Sequence, residues 1–337
     1  RVMTPCERPT MGKRAKAHSL IGRITPRLVM QAFRSVKRNR GAAGVDKVSI
    51  RMFSANLTEN LDALMRDLKS GQFRPKPLRR VHIKDNPRAE KTRALGIPVV
   101  RDRVAQEVLR RLLNPIFEPL FHDASHGFRQ GHNCHLAIEE VLELHRMGYM
   151  IVLDADIQGF FDNLPQSVIM QFVRHYVADG KVLDLLERFL TAGVMADGVF
   201  KPTTVGTPQG GVISPLLANI VLNHLDWQLD TAGYRFVRYA DDFVVLCHSR
   251  REAQEARDFV QRILEGELGL QLSQEKTHIT TYGKGYEFLG FKLSSRSRRM
   301  RGKSVQKFKD KIREQTVRKH NLDARVIMKL NRVIRGT

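Results

Sequence analysis

Two segments of this chain place aspartates where strands would end. Asp154 and Asp156 close the apolar run Met150-Ile151-Val152-Leu153, and Asp241-Asp242 sit between Phe236-Val237 and Phe243-Val244-Val245-Leu246. Short β-rich runs flanking a polar pair predict a hairpin with Tyr239-Ala240-Asp241-Asp242 at its tip. Adjacent carboxylates repel one another. A solvated turn tolerates that, because Asp is a common turn residue, whereas a divalent cation between the carboxylates makes use of it. A period of two puts Asp154 and Asp156 on one face of the upstream strand. Three carboxylates brought together from two strand ends are hard oxygen donors of the kind that suit Mg²⁺. A pair of such ions can stabilise the attacking and leaving oxygens of a phosphoryl transfer.

The order of motifs then narrows the reading. Asp156 is followed by Phe161, then by Thr207-Pro208-Gln209-Gly210-Gly211, Tyr239-Ala240-Asp241-Asp242 and Phe288-Leu289-Gly290-Phe291. This succession resembles a reverse transcriptase. Arg93-Ala94-Leu95-Gly96-Ile97-Pro98 and Ser125-His126-Gly127-Phe128-Arg129 resemble the bacterial group II intron-like branch, over residues from about 18 to the end.

The resemblance implies an RNA-directed DNA polymerase that extends a DNA primer on an RNA template with dNTPs. Asp156, Asp241 and Asp242 would be the catalytic and metal-binding carboxylates. They would hold two Mg²⁺ ions, for which Mn²⁺ could substitute, and the Ile157 carbonyl could add a ligand; Asp154 is left structural. Lys84 and Arg93, on a basic hairpin, would hold the triphosphate. Phe161 would lie under the sugar of the incoming nucleotide. Gln209, Gly210 and Gly211 would meet the nascent base pair, and Lys276 would stand near the triphosphate as a proton donor to pyrophosphate. Phe288, Leu289 and Gly290 would form the primer grip, and Ser125 to Gly131 a loop near the template. The rival reading is an RNA-binding maturase for a group II intron, with intron RNA as partner and polymerisation secondary. Intact Asp156, Asp241 and Asp242 favour the enzyme.

Positioning these residues needs a framework of helices and hairpins. Leu28, Val29, Ala32, Phe33 and Val36 recur at helical spacing over 26–38, with Thr25 as cap and Pro26 in the first turn. Leu57, Leu61, Leu64, Met65 and Leu68 predict a helix over 54–70, ended by Gly71. Residues 77–98 predict two strands around a polar turn at 84–91. Further helices are predicted over 101–117, 135–147, 165–178, 182–192, 215–229 and 252–266, with Asp162 and Asn163 capping the one at 165. From Arg296 the composition turns to basic helix. His122, His126, His132, Cys134 and His135 fall close together, but their spacing matches no standard zinc finger.

The resulting expectation is an α+β right-hand polymerase. Residues 1–17 would be a basic arm, 18–150 fingers, 151–295 palm with an interleaved fingers segment, and 296–337 the start of a helical thumb. The chain begins with Arg1, and three thumb helices need more residues than follow Arg296, so a fragment of a longer protein is expected.

Charge agrees with a nucleic-acid partner. The 337 residues carry a net +22. Residues 1–40 hold 11 Lys and Arg against one acid, and 296–337 hold 15 against three, so the two ends account for the whole excess. The middle balances, with 31 basic and 31 acidic residues, but within it 66–111 is net +9. Cationic blocks around a carboxylate cluster are better explained by phosphate backbone than by solvation alone. Cys6, Cys134 and Cys247 form no Cys-x-x-Cys pair, which argues for a reducing cytosol. No apolar run reaches membrane-spanning length.

Overall fold

The computed structural model describes residues 16–84, 92–196, 198–207, 210–317 and 323–335. The chain opens with helices α1 (Pro26–Arg38), α2 (Ile50–Ala55) and α3 (Leu57–Ser70). The Thr25 hydroxyl accepts from Leu28 N at 3.2 Å, and Pro26 starts α1 where a missing N–H costs nothing. The helix predicted over 54–70 starts three residues later, at Leu57, because Ser54 and Ala55 end the separate helix α2. Asn56 takes the non-helical angles φ −116°, ψ 51°, and the Asn60 amide donates to the Phe53 carbonyl that the break leaves without a helical partner. Gly71 ends α3 in the left-handed region at φ +80°, as the sequence predicts.

Strands β1 (Leu78–Lys84) and β2 (Thr92–Ile97) pair antiparallel as expected. Two strands without a periodic signal extend their sheet: β4 (Val194–Ala196) runs parallel to β1, and β5 (Val199–Lys201) pairs with β4. Three residues each are too few for an alternation to be read. Helices α4 (Val100–Phe117) and α5 (Cys134–Arg146) follow the hairpin, and α5 is capped by the Asn133 side chain, which accepts from Leu136 N.

The central sheet has the order β6-β7-β3-β8, with β3 at Ile151–Ala155, β6 at Arg235–Tyr239, β7 at Asp242–Cys247 and β8 at His278–Thr281. All its pairings are antiparallel, yet both faces are covered. Leu153, Ala155, Phe243 and Val245 join the large core together with α9 (Ser214–Thr231) and α10 (Arg250–Arg262). Val152, Val244 and Leu246 join a second cluster with Ala137, Ile138 and Val141 of α5. Double burial explains why β7 reads as a continuous apolar run rather than an alternating one.

That second cluster also receives Tyr286, Phe288 and Leu293 from a three-stranded sheet, β9 (Tyr286–Phe288), β10 (Phe291–Ser294) and β11 (Ser297–Met300). The buried His145 ring is stacked on Tyr282 at 3.7 Å between centroids. One of its nitrogens lies 2.7 Å from the Tyr149 carbonyl and the other 2.9 Å from the Tyr286 hydroxyl. With the carbonyl only able to accept, the Tyr286 hydroxyl is the donor to a neutral ring, and burial accordingly lowers the His145 pKa. The basic tail therefore starts as a strand, and helices α11 (Gly302–Gln315) and α12 (Ala324–Arg335) come only after it. Among the described residues no helix is long and apolar enough to cross a membrane.

Asp162 and Asn163 do not cap the following helix. They lie inside a one-turn helix, α6 (Phe160–Asn163), and α7 (Gln166–Tyr176) starts from Pro165 with no side-chain cap. Gly159, at φ +53°, turns the chain into α6, and the Asn163 amide bonds back to the Gln158 carbonyl at 2.9 Å. Helix α8 (Gly180–Leu190) is capped by Asp179 instead.

Candidate active site

The register of the central sheet brings the two aspartate segments together. Ala155 lies opposite Phe243, so the residue after Ala155 and the residue before Phe243, Asp156 and Asp242, meet at the same end of adjacent strands. On the other side of β7, Tyr239 pairs with Asp242, which leaves Ala240 and Asp241 as the two-residue hairpin tip. Ala240 takes φ +59°, a conformation that L-residues adopt rarely and that a tight hairpin requires.

Asp156 is held beyond the end of β3 by a second partner. Its carbonyl accepts from Ser273 N at 2.8 Å, Gln158 N donates to the Gln271 carbonyl at 2.9 Å, and Ile157 bridges to Leu272. Those bonds use the carbonyls of Asp156 and Gln271, so they do not consume the Ile157 carbonyl. Asp156 N also donates to the Thr277 hydroxyl at 3.3 Å. Lys276, on the same segment, places its ammonium 3.1 Å from Asp156 Oδ2.

The carboxylates feel one another. Burial pushes Asp241 above the usual carboxylate range, and the charge on Asp156 raises it further while Arg238 and Lys276 oppose the rise. Asp242 is exposed at its outer edge but has protein on most other sides; burial, then Asp241 and Asp156, push it up to about 6. Asp154 reaches about 6, chiefly by burial, with His278 3.6 Å away opposing the rise. Among the described residues, no three His, Cys, Asp or Glu side chains are gathered closely enough to cage a metal ion as placed. The donor chemistry nevertheless fits a hard divalent cation. The cluster consists of carboxylate oxygens that repel one another, and Asp156 already turns one oxygen to a cation, the Lys276 ammonium.

A buried charge network lies directly beneath the turn. Arg238 and Asp226 are both 0% exposed, and their forked pair closes at 2.7 and 2.5 Å. The same guanidinium donates to Asn219 Oδ1 at 3.0 Å and to the Ala240 carbonyl at 2.9 Å. Asn219 in turn donates to the Gly127 carbonyl at 2.8 Å. The backbone of 124–126 runs beside β6: Arg238 N donates to the Ala124 carbonyl and His126 N to the Arg238 carbonyl. A Cβ on Gly127 would come within 2.3 Å of Ala240 N, so the Ser125-to-Gly131 loop meets the hairpin tip backbone to backbone. Sequence reading missed Arg238, Asp226 and Asn219. The available signal was a cation inside an otherwise apolar strand and an acid between Leu225 and Leu229 on an apolar helix face.

The remaining expected site residues fall into three groups. Phe161 is half-buried in α6 beside Phe160, and its carbonyl accepts from Thr207 N at 2.8 Å. That bond, with Gly206 N on the Leu164 carbonyl at 3.0 Å, docks the 205–207 segment on α6. A Cβ on Gly206 would lie 2.6 Å from the Asp162 carbonyl, so only glycine fits that approach. Gly210, at φ +106°, packs against the Gly96 carbonyl of β2, and Gly211 is buried. Gln209 lies outside the described residues, as do the side chains of Lys84 and Arg93, whose backbones stand on the paired strands β1 and β2. A cavity of about 280 Å³ opens between these parts, lined by Arg80, Gly96, Asp162, Thr203 and Thr207 among others.

Phe288, Leu289 and Gly290 lie in the third sheet. Leu289 at φ +49° and Gly290 at φ +84° form the tight turn between β9 and β10, while Phe288 is buried. Among the described residues, the histidine-rich loop shows no group of three ligands set for a metal ion. His126 Nε2 meets Glu140 at 2.7 Å, and the Nδ1 atoms of His126 and His132 are 3.2 Å apart, a hydrogen-bonded chain.

Residues 82–293 match the family described as reverse transcriptase (RNA-dependent DNA polymerase). Protein YkfC of Escherichia coli (strain K12) is 34% identical over 310 residues, covering 80% of this chain and 80% of YkfC. Group II intron-encoded protein LtrA of Lactococcus lactis subsp. cremoris is 28% identical over 361 residues, covering 87% of this chain and 58% of LtrA, so the chain spans little more than half of that relative. Among solved structures, a partial Cas6-RT-Cas1--Cas2 complex is similar at a TM-score of 0.45 and 25% identity, over 73% of this chain and 40% of that one.

Proposed function

The chain belongs to the reverse transcriptase (RNA-dependent DNA polymerase) family, in its group II intron-like branch, and from that premise we propose that it extends a DNA primer with dNTPs as an RNA template directs. The observation that carries the reading is the sheet register that sets Asp156 beside the Asp241-Asp242 turn. Reverse transcriptases work with divalent ions. Here Asp156, Asp241 and Asp242 would hold two Mg²⁺, or Mn²⁺ in their place, with the Ile157 carbonyl alongside. When bound, such ions stabilise negative charge on the attacking and leaving oxygens.

The chain's own groups do the rest. Asp156 is fixed by its pairing to 271–273, and Asp241 by the turn that Arg238 braces. Lys276 moves its ammonium from Asp156 to the triphosphate, where it can protonate the departing pyrophosphate. Lys84 and Arg93 neutralise the triphosphate from the basic hairpin, and Gln209, Gly210 and Gly211 border the nascent base pair. Phe288, Leu289 and Gly290 hold the primer end. In this reading β1 and β2 with the N-terminal helices are fingers, the central sheet is palm, and α11 and α12 begin a thumb.

The test is sugar choice. A dNTP and an rNTP differ by one oxygen, so attraction alone separates them poorly, and a wall that clashes with the hydroxyl works better. Phe161 is five residues beyond Asp156 and is anchored through its carbonyl to Thr207. On an RNA template the wild type should prefer dNTPs, and Phe161→Ala should lower the dNTP/rNTP ratio of kcat/KM by about 10-fold or more, mainly through better rNTP use. A wild type indifferent to the sugar would remove the DNA-making assignment. An unchanged ratio in an active Phe161→Ala would leave Phe161 a core aromatic.

Binding should be dominated by phosphate contacts. The affinity for primer–template should fall steeply with salt, with a log–log slope of about −0.7 to −0.9 per phosphate neutralised. Fluorescence anisotropy across a salt series measures it, and a flat series would exclude a backbone-dominated grip.

A further inference from the structure

The Lys276 side chain is 67% exposed, yet its ammonium stands 3.1 Å from Asp156 Oδ2. An exposed ion pair contributes little by itself, and a lysine stem has many rotamers, so Asp156 alone does not fix the ammonium. The backbone that carries Lys276 must help to place it. That backbone is a turn tied to Asp156 at both ends: Ser273 N donates to the Asp156 carbonyl, and Asp156 N donates to the Thr277 hydroxyl. Thr277 N closes the turn on the Ser273 carbonyl at 2.9 Å. His278 then grips the Lys276 peptide itself. Its Nδ1 lies 2.8 Å from the Lys276 carbonyl, and a carbonyl can only accept, so Nδ1 carries a proton. The other side of the ring faces Asp154, the residue opposite His278 on β3, with Nε2 3.6 Å from Asp154 Oδ2.

We propose that His278 is a positioning residue for Lys276: its ring, set between Asp154 and the Lys276 carbonyl, holds that peptide so that the ammonium stays within reach of Asp156. The placement is a property of the free protein. Its kinetic consequence rests on the polymerase reading, in which the Lys276 ammonium gives a proton to the departing pyrophosphate oxygen. Proton transfer in the transition state demands close placement of the donor, so a loosened Lys276 lowers kcat more than it raises KM for the dNTP. The arrangement also gives Asp154 a use that its position one pleat below Asp156 does not announce.

The test compares His278→Ala, His278→Asn and His278→Gln. An Asn amide can donate from the place of Nδ1, whereas a Gln amide reaches the place of Nε2 and leaves the Lys276 carbonyl without its donor. Competitive reductive methylation of the free protein, read by mass spectrometry, reports the Lys276 environment without catalysis, because a paired ammonium gives up its proton less readily. Methylation of Lys276 should rise about 2- to 5-fold in His278→Ala and His278→Gln, the scale of losing an exposed ion pair. His278→Asn should stay near the wild type. Asp156→Asn should produce the same rise, and adding His278→Ala to it should produce no more, since both act on one contact. In primer extension, His278→Ala and His278→Gln should lower kcat about 10-fold with little change in KM for the dNTP, and His278→Asn should retain most of the rate. Unchanged Lys276 methylation in His278→Ala would overturn the proposal. Equal behaviour of the Asn and Gln variants would overturn it as well, and that comparison stands even if the Ala variant fails to fold. So would increased methylation with an undiminished kcat. A wild type that does not extend would instead sink the polymerase reading, and the methylation comparison would still decide whether His278 places Lys276.

Discussion

Asp241→Asn should reduce primer extension by on the order of 10³-fold while the protein still binds primer–template. The substitution keeps the shape of the side chain and removes one charge. It leaves the turn intact, because Arg238 holds the tip through the Ala240 carbonyl rather than through the Asp241 side chain. What it removes is an anionic oxygen donor from a cluster whose members raise one another's pKa, the property that makes the cluster receptive to a divalent cation. Binding of nucleic acid should persist or tighten, since one carboxylate fewer repels the phosphates. Single-turnover extension and anisotropy on the same preparation separate the two effects. Near-normal extension by Asp241→Asn would contradict the assignment.

Arg238→Met should cost the fold about 3–5 kcal/mol, the scale of removing one member of a buried ion pair. Both side chains are fully buried, and the loss of the guanidinium leaves Asp226 charged, dry and without its forked partner. Adding Asp226→Leu removes the orphaned charge and should recover most of that stability, because a buried pair replaced by apolar residues of similar volume is often neutral. Extension should not recover with it. The Ala240 carbonyl and Asn219 would still lack the donor that fixes the hairpin tip, so Asp241 would lose its placement. Denaturant unfolding and extension should thus part company in the double variant. Recovery of both together would show that Arg238 only stabilises the fold.

The contrast between what the sequence reveals and what it conceals follows from the range of each interaction. The hairpin at Tyr239 to Asp242 and the helices over 26–38 and 214–231 are local patterns, visible as apolar runs and periodicity. The meeting of Asp156 with Asp242 is also inferable, because two strands ending in aspartate stand in a succession of motifs that resembles a reverse transcriptase. The Arg238 network is not local. It joins β6, α9 and the 124–127 segment, and a cation in an apolar strand or an acid on an apolar helix face does not announce which distant partner it meets. Asp162 and Asn163 failed as caps for a related reason: Gly159 and Pro165 bound a separate helical turn, and the 205–207 segment docks on it from more than forty residues away. The strands Val194–Ala196 and Val199–Lys201 exist because β1 offers an edge to pair with, which three residues of sequence cannot announce.

Template-directed incorporation of one nucleotide tests the central claim most directly. A DNA primer annealed to RNA, supplied with each dNTP separately in Mg²⁺, should be extended by the dNTP complementary to the next template base, and chelation of the metal should abolish the product. Failure to incorporate the complementary dNTP with metal present, or addition that ignores the template base, would contradict the account.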